Sequence, residues 1–144
     1  MKTVLFICVH NSARSQMAEA LLNQMCPGEY EAESAGLEPG VLNPLAVEVL
    51  REKGIDIGTK QTTGVSDVIA SGKTFDYVVT VCDESSAERC PLFPGGTRRL
   101  HWSLPDPSKF EGDWGGRLNQ TRKVRWEIES RIRELCGSSC CIAA

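Results

Sequence analysis

A short apolar run, followed at once by a polar turn and a helical pattern, constrains the fold of this chain most strongly. Residues 2–9 are nearly all apolar, which is typical of a strand buried on both faces of a parallel sheet. Residues 10–14 are polar, and from Ser15 apolar residues recur at three- and four-residue spacings, which predicts a helix. A strand that leads into a helix in this way indicates the first half of a right-handed βαβ unit.

The rest of the chain repeats this alternation. Further strands are predicted over 30–35, 75–82 and 98–102, and further helices from Asn43-Pro44, over 66–70 and over 118–135. Strands alternating with helices favour an α/β fold with a four-stranded parallel sheet and helices on both faces. Ligands of such sheets bind at the carboxyl ends of the strands, and the first strand ends at Cys8.

Length and composition bound the protein class. The 144 residues fit one domain, which we expect over 1–137, with a cysteine-containing tail over 138–144. No run approaches the ~18 apolar residues of a membrane span. The formal net charge of −3 and the aromatic content of 6% argue against a nucleic-acid surface. We therefore expect neither a membrane nor a nucleic acid as a partner.

Cysteine is the unusual component of the composition. There are seven, at positions 8, 26, 82, 90, 136, 140 and 141. The apolar run over 4–9 is too short for a signal-peptide core, so we expect a cytoplasmic protein in a reducing compartment. Cysteines there are more often catalytic, redox-active or metal-binding than structural, which indicates thiol chemistry.

The segment Cys-Val-His-Asn-Ser-Ala-Arg-Ser at 8–15 connects the first predicted strand to the first helix. Such a loop points backbone N–H groups into a concave anion site at the helix N-terminus. Arg14 can bind a tetrahedral oxyanion through two parallel hydrogen bonds, and the same field favours the nucleophilic thiolate of Cys8. Ser15 can donate to that thiolate, and Asn11 tolerates a left-handed backbone. The expected oxyanion-binding residues are Val9, His10, Asn11, Ser12, Ala13, Arg14 and Ser15.

These motifs resemble the low-molecular-weight protein tyrosine phosphatase superfamily over nearly the whole chain. The shared features are Cys-x5-Arg-Ser from Cys8, Ser34-Ala35-Gly36, Asn43-Pro44-x-Ala46, the strand that ends at Cys82, and Asp106-Pro107. Within the superfamily the chain is most similar to the thioredoxin-coupled arsenate reductases. Those also carry Ser-Gln-Met-Ala-Glu, here at 15–19, His-Trp, here at 101–102, and two further cysteines, here Cys82 and Cys90. The resemblance implies a phosphotyrosine protein phosphatase I-like three-layer sandwich.

The resemblance also implies that the chain reduces arsenate to arsenite. Cys8 would attack arsenate held by the loop and Arg14, and Asp106 would protonate the departing oxygen. Cys82 and Cys90 would complete a thiol–disulfide relay that thioredoxin regenerates. We expect that the protein is a monomer without a tightly bound cofactor. Phosphate and sulfate are expected to compete with arsenate for the loop.

The position of Cys90 fits the relay, although spacing alone leaves equal room for a buried Cys82 and an incidental Cys90. It lies in a polar stretch rich in proline and glycine over 83–96, and loops of this length are often functional. A thiol on such a loop can approach and leave a partner thiol, as exchange through mixed disulfides requires.

Two other functions stay open. A phosphomonoesterase would use Cys8, Arg14 and Asp106 equally well, but it leaves Cys82 and Cys90 without a task. A non-enzymatic thiol switch or oxyanion-binding module would leave Asp106 without one, although aspartate before proline is also common in simple turns.

Asn11, Glu19 and Ser34 match positions that hold a potassium ion in some arsenate reductases of this family. A further family carboxylate has no clear match, because Thr62-Thr63-Gly64 occupies its region. The three residues therefore either bind potassium or only hydrogen-bond the loop.

Several residues depart from the family pattern. His10 stands where glycine is common, and it either lies at the rim of the site or tunes the Cys8 thiolate. Cys26 is expected to be a small packed residue. Cys136, Cys140 and Cys141 have no family counterpart, and they are a further thiol relay, a trap for arsenite or a soft metal, or a tail without an essential role.

Overall fold

The computed structural model describes residues 1–81 and 98–137. Its regular elements in chain order are β1 (Lys2–Cys8), α1 (Arg14–Met25), β2 (Tyr30–Gly36), α2 (Pro44–Arg51), α3 (Val65–Ala70), β3 (Tyr77–Thr80), β4 (Arg98–His101), a 3-10 turn (Pro107–Lys109) and α4 (Trp114–Cys136). Cys82, Cys90, Cys140 and Cys141 lie outside the described residues, as do the stretch over 83–96 and the tail over 138–144. Within the described ranges, no helix is long and apolar enough to cross a membrane.

The four strands form one parallel sheet in the order β2-β1-β3-β4. The predicted four-stranded parallel sheet is therefore confirmed. The central strand β1 pairs Cys8 with Gly36 of β2 and Ile7 with Thr80 of β3. The carboxyl ends of three strands consequently meet at Cys8.

Both faces of β1 are buried, which explains its continuous apolar sequence. Val4, Phe6 and Cys8 face a core shared with α1, α2 and α4, whereas Leu5 and Ile7 face a smaller core shared with α3. Successive side chains of a strand point to opposite faces, so each face needs its own set of apolar residues.

The Asn43-Pro44 start of α2 is as predicted, because the Asn43 side chain accepts a hydrogen bond of 2.9 Å from the backbone N–H of Leu45. The last helix, however, begins at Trp114 rather than at residue 118. Asp113 is its N-cap and accepts a 2.7 Å hydrogen bond from the N–H of Gly116. The two glycines at 115 and 116 disfavour helix by propensity, and this cap offsets part of that cost.

Cys26 and Cys136 are joined by a disulfide that connects the end of α1 to the end of α4. The sequence predicts only packing for Cys26, and Cys136 has no family counterpart, so this bond is a correction to the expectation for Cys26. The pair lies beside Lys2 and Tyr30, at the amino ends of the strands. It is therefore at the opposite edge of the sheet from Cys8.

Candidate active site

The loop between β1 and α1 is held from outside by the segment that follows β2. The carbonyl oxygens of Cys8, Val9, His10 and Ser12 accept hydrogen bonds from the backbone N–H groups of Leu37, Glu38, Gly40 and Asn43, at 3.1, 2.7, 2.9 and 2.8 Å respectively. In a trans peptide unit, the C=O group and the N–H group of the following residue point in opposite directions. Because these carbonyl oxygens point out of the loop, the N–H groups in the same peptide units point into it. Inward N–H groups of this kind are what an anion site requires.

Gly36 allows the loop to lie this close to β2. A Cβ atom at this position would lie 2.8 Å from the backbone N of Asn11 and 2.9 Å from the backbone O of Val9. Any side chain would therefore displace the loop backbone, which explains the glycine at the end of Ser34-Ala35-Gly36.

Cys8, the free thiol among the described cysteines, is buried at the base of the loop. The N–H of Asn11 donates to its sulfur at 3.1 Å, and the hydroxyl oxygen of Ser15 lies 2.9 Å from the same sulfur. Two polar groups thus converge on Cys8, as the predicted thiolate requires.

The Asn11 side chain sets the direction of these hydrogen bonds. Its Oδ1 accepts from the backbone N–H of Thr63 at 2.9 Å and from Nε2 of Gln16 at 3.1 Å. A backbone N–H can only donate, so the amide nitrogen must be the atom that faces Ser15, at 2.8 Å. The Ser15 oxygen accepts there, which leaves its hydrogen to be donated to Cys8. The left-handed conformation predicted for Asn11 is present, with φ at 55°.

Arg14 and Asp106 meet at the mouth of the loop. Nη2 of Arg14 lies 3.5 Å from Oδ2 of Asp106, and its Nη1 donates to the carbonyl oxygen of Leu104 at 3.2 Å. The arginine is only 4% exposed, so its guanidinium is held in place. The structure therefore brings together Cys8, Arg14 and Asp106, three of the predicted site residues.

Asp106 is also the N-cap of the 3-10 turn. Its Oδ1 accepts hydrogen bonds from the N–H of Ser108 at 3.0 Å and from the Ser108 hydroxyl at 2.8 Å. Burial raises the pKa of Asp106, but these two bonds and the charges of Arg14 and Lys109 outweigh it, so the pKa lies below its usual value. A general acid with this environment needs a bound anion to raise its pKa before it can donate a proton.

A groove of about 360 Å³ opens beside the loop. Ser12 of the loop lines it, together with Pro107 and Ser108 next to Asp106, and Trp114 and Arg117 of α4. The loop and the Asp106 turn therefore share one solvent-accessible opening, through which a small oxyanion can enter.

Neither histidine reaches the Cys8 sulfur by a hydrogen bond. His10 is exposed at the rim, and its Nδ1 donates to the carbonyl oxygen of Glu38 at 2.9 Å. Nδ1 of His101 lies 2.6 Å from the Thr80 hydroxyl on β3. The structure thus favours the rim position for His10.

In the three residues expected to hold potassium, the side-chain oxygens already have partners within the protein. The Ser34 hydroxyl donates to Oε1 of Glu19 at 2.7 Å, and the ammonium of Lys60 forms an ion pair with Oε2. Oδ1 of Asn11 accepts the two N–H groups described above, which use both of its lone pairs. This donor set does not fit a potassium ion.

Sequence reasoning missed the supporting role of the residues at 60–63. Gln61 accepts a hydrogen bond from Gln16 at 3.2 Å, Thr62 donates to Gly40 at 2.7 Å, and Thr63 contacts both Asn11 and Gly36. In the sequence, Thr62-Thr63-Gly64 stands out only because it lacks the family carboxylate. No local pattern indicates these contacts, because the partners are 20 or more residues away.

Comparison with known proteins agrees with this geometry. The family model for low molecular weight phosphotyrosine protein phosphatase matches residues 3–140. An arsenate reductase of Shouchella clausii is 39% identical over 95% of this chain and 91% of its own. A crystal structure of an arsenate reductase from Archaeoglobus fulgidus matches with a TM-score of 0.75 and 35% identity, over 94% of this chain and 99% of that one.

A third match is a thioredoxin-dependent arsenate reductase from Corynebacterium glutamicum, with a TM-score of 0.71 and 34% identity. The match covers 96% of this chain and 61% of that one.

The chain belongs to the low molecular weight phosphotyrosine protein phosphatase family. Within that family, the predicted resemblance to the arsenate reductases is confirmed.

Proposed function

We propose that this protein reduces arsenate to arsenite with electrons from thioredoxin. The observation that carries the proposal is the convergence on Cys8 of the Asn11 N–H and the Ser15 hydroxyl, at the base of a loop whose carbonyl oxygens are tied back on the outside. Relatives named arsenate reductase support the substrate, and the neighbour named thioredoxin-dependent supports the reductant.

In the first step, the Cys8 thiolate attacks arsenic while Arg14 and the loop N–H groups of Val9 to Ser15 hold the arsenate oxygens. Arg14 exchanges its contact with Asp106 for the incoming anion. The negative charge of the arsenate raises the pKa of Asp106, and its proton goes to the departing oxygen, which leaves as water. A covalent Cys8–arsenate adduct results.

In the second step, the Cys82 thiolate attacks the sulfur of Cys8. A sulfur–sulfur bond forms, the sulfur–arsenic bond breaks, and its electron pair stays on arsenic, which leaves as arsenite. Cys82 lies outside the described residues, but its neighbour Val81 is buried and donates a 2.8 Å hydrogen bond to Ile7, the residue before Cys8. The last described residue before Cys82 is therefore held beside the strand that ends at Cys8.

In the third step, Cys90 attacks Cys82, which frees Cys8 and leaves a Cys82–Cys90 disulfide for thioredoxin to reduce. The oxidation of the two thiols balances the two-electron reduction of arsenic. We place this cycle in the cytoplasm, with a monomeric enzyme and with phosphate and sulfate as competitors for the loop.

The relay is tested by single turnover of Cys90→Ser. With arsenate, thioredoxin, thioredoxin reductase and NADPH, we expect one arsenite per enzyme followed by arrest, with a Cys8–Cys82 disulfide in the mass map. Cys140→Ser, which removes a thiol outside the relay, should turn over as the unaltered protein does. Steady-state turnover by Cys90→Ser would contradict the relay.

Hydrolysis of phosphate monoesters is the second candidate function. The family match and the contact between Arg14 and Asp106 suit it, because water can hydrolyse a Cys8–phosphate adduct. Aryl phosphate hydrolysis that exceeds arsenite production by the same preparation would favour this alternative.

A further inference from the structure

We propose that the ammonium group of Lys60 is a built-in cation that supports the oxyanion loop of this chain in the place where some relatives use a potassium ion. The support of an oxyanion loop rests on the proposed function, whereas the pairing of Lys60 with Glu19 rests on geometry alone. Lys60 was not among the residues that the sequence pattern indicated.

The Glu19 carboxylate is the group that needs a cation. It lies on α1, one turn after the loop, and Glu19 is only 9% exposed. A buried carboxylate is costly unless it is paired and hydrogen-bonded. Here one oxygen receives the Ser34 hydroxyl and the other receives the Lys60 ammonium, so both requirements are met by the protein itself.

The side chain of Lys60 approaches Glu19 from the surface. It is 34% exposed, and burial lowers the pKa of Lys60, which reflects the cost of taking an ammonium out of water. The ion pair with Glu19 offsets this cost. A tethered ammonium loses less translational freedom on binding than a free ion does, so it competes with dissolved cations for the same carboxylate.

Lys60 is also connected to the nucleophile through the chain. The residues that follow it, 61–63, hold the side chains of Gln16 and Asn11. Asn11 in turn donates to Ser15, which contacts Cys8. The ion pair fixes the start of a segment whose far end orients the groups around the sulfur, so Lys60 is a positioning residue.

The test compares the unaltered protein with Lys60→Met in potassium, sodium and choline chloride at equal ionic strength. Two readouts need no arsenate: the thermal midpoint, and the alkylation rate of Cys8 by iodoacetamide well below that midpoint. The unaltered protein should give the same values in all three salts. In choline, Lys60→Met should lower the midpoint by about 5 °C and slow Cys8 alkylation about threefold or more.

Recovery by a small cation is the decisive result. Potassium or sodium should restore a substantial part of both values in Lys60→Met, because either can pair with the Glu19 carboxylate once the ammonium is removed. Lys60→Arg, which keeps the charge, should stay close to the unaltered protein in choline and covers the case in which Lys60→Met folds poorly.

Lys53→Met is the matched control. Lys53 is a half-exposed lysine that pairs with the buried Glu129 at 3.3 Å, away from the loop. Because Arg125 still lies 3.8 Å from the Glu129 carboxylate, Lys53→Met should lose stability without a change in Cys8 alkylation and without recovery by potassium. Potassium-specific stabilisation of the unaltered protein, or losses in Lys60→Met that no cation recovers, would overturn the proposal. A failed arsenate assay would leave these results unaffected and would count only against the proposed function.

Discussion

The hydroxyl oxygen of Ser15 lies 2.9 Å from the sulfur of Cys8 and accepts a hydrogen bond from the Asn11 amide. The hydroxyl is therefore oriented as a donor to the sulfur before any substrate binds. Preorganised donors of this kind stabilise a developing or resting anion without reorganisation during the reaction.

Ser15→Ala removes this donor. A hydrogen bond to a charged group is worth about 1.5–3 kcal/mol, so we expect Cys8 alkylation at neutral pH and arsenate reduction both to slow about tenfold or more. Ser66→Ala, on the exposed side of α3, is the control and should change neither rate. Equal alkylation rates in Ser15→Ala and the unaltered protein would show that the contact does not stabilise the thiolate.

Asn11→Asp removes the side-chain donor of Asn11 and keeps its backbone N–H, which donates to Cys8. The carboxylate can still accept from Thr63 and Gln16, but it cannot donate to Ser15, and it places a negative charge near Cys8. We expect a slowdown of Cys8 alkylation greater than that of Ser15→Ala, at similar thermal stability. Asn11→Gly keeps the positive φ and the backbone N–H. Its slowdown of Cys8 alkylation should lie between those of Ser15→Ala and Asn11→Asp.

Ser108→Ala tests the environment of Asp106. The Ser108 hydroxyl lowers the pKa of Asp106, so its removal should raise that pKa. Because Asp106 must be protonated in the complex with the anion, and kcat reports pKa values of the enzyme–substrate complex, the loss of kcat with rising pH should move to higher pH. Asp106→Asn should lose about 10²–10⁴ in the rate of adduct formation and lose this pH dependence. An unchanged pH profile in Ser108→Ala would argue against Asp106 as the acid.

Glu52 links α2 to α4 and makes stability depend on pH. Hydrogen bonds from Arg122 and Arg125 lower the pKa of Glu52 to about 2. A lowered folded-state pKa contributes stability above the unfolded-state pKa, and the contribution is lost as the pH falls towards 2. Since the side chain is 31% exposed, solvent screening reduces the effect to about 1–2 kcal/mol at pH 7.

Glu52→Gln should therefore lower the free energy of unfolding in urea at pH 7, and the difference should shrink between about pH 5 and pH 2. Glu48→Gln removes the exposed pair with Arg51 and should change stability by less than about 0.5 kcal/mol. A difference for Glu52→Gln that is independent of pH would contradict the assignment.

The Cys26–Cys136 disulfide should stabilise the fold without affecting the chemistry. A disulfide that closes a long loop contributes about 2–4 kcal/mol, so reduction by dithiothreitol should lower the thermal midpoint by about 5–15 °C. Cys26→Ser and Cys136→Ser should each reproduce the loss and should not respond to reductant. Arsenate turnover by both variants should be retained well below the midpoint, because the pair lies at the opposite edge of the sheet from Cys8.

Patterns of neighbouring residues in the sequence were sufficient to predict the sheet, the start of α2 and the loop. The alternation of apolar strands and helical patterns predicted the parallel sheet, and Asn43-Pro44 predicted the start of α2. The spacing of Cys8 and Arg14 across a strand–helix junction predicted the loop, and Asn11 predicted its left-handed turn. These features depend on residues within a few positions of one another, whose geometry the backbone itself restricts.

Tertiary structure decided the rest. The ion pair of Lys60 with Glu19, the close approach of Gly36 to the loop, and the bond between Cys26 and Cys136 join residues 25 to 110 positions apart. No residue type or spacing along the chain predicts these contacts. They arise only when burial of apolar faces brings distant segments together, and the polar groups trapped there must then find partners.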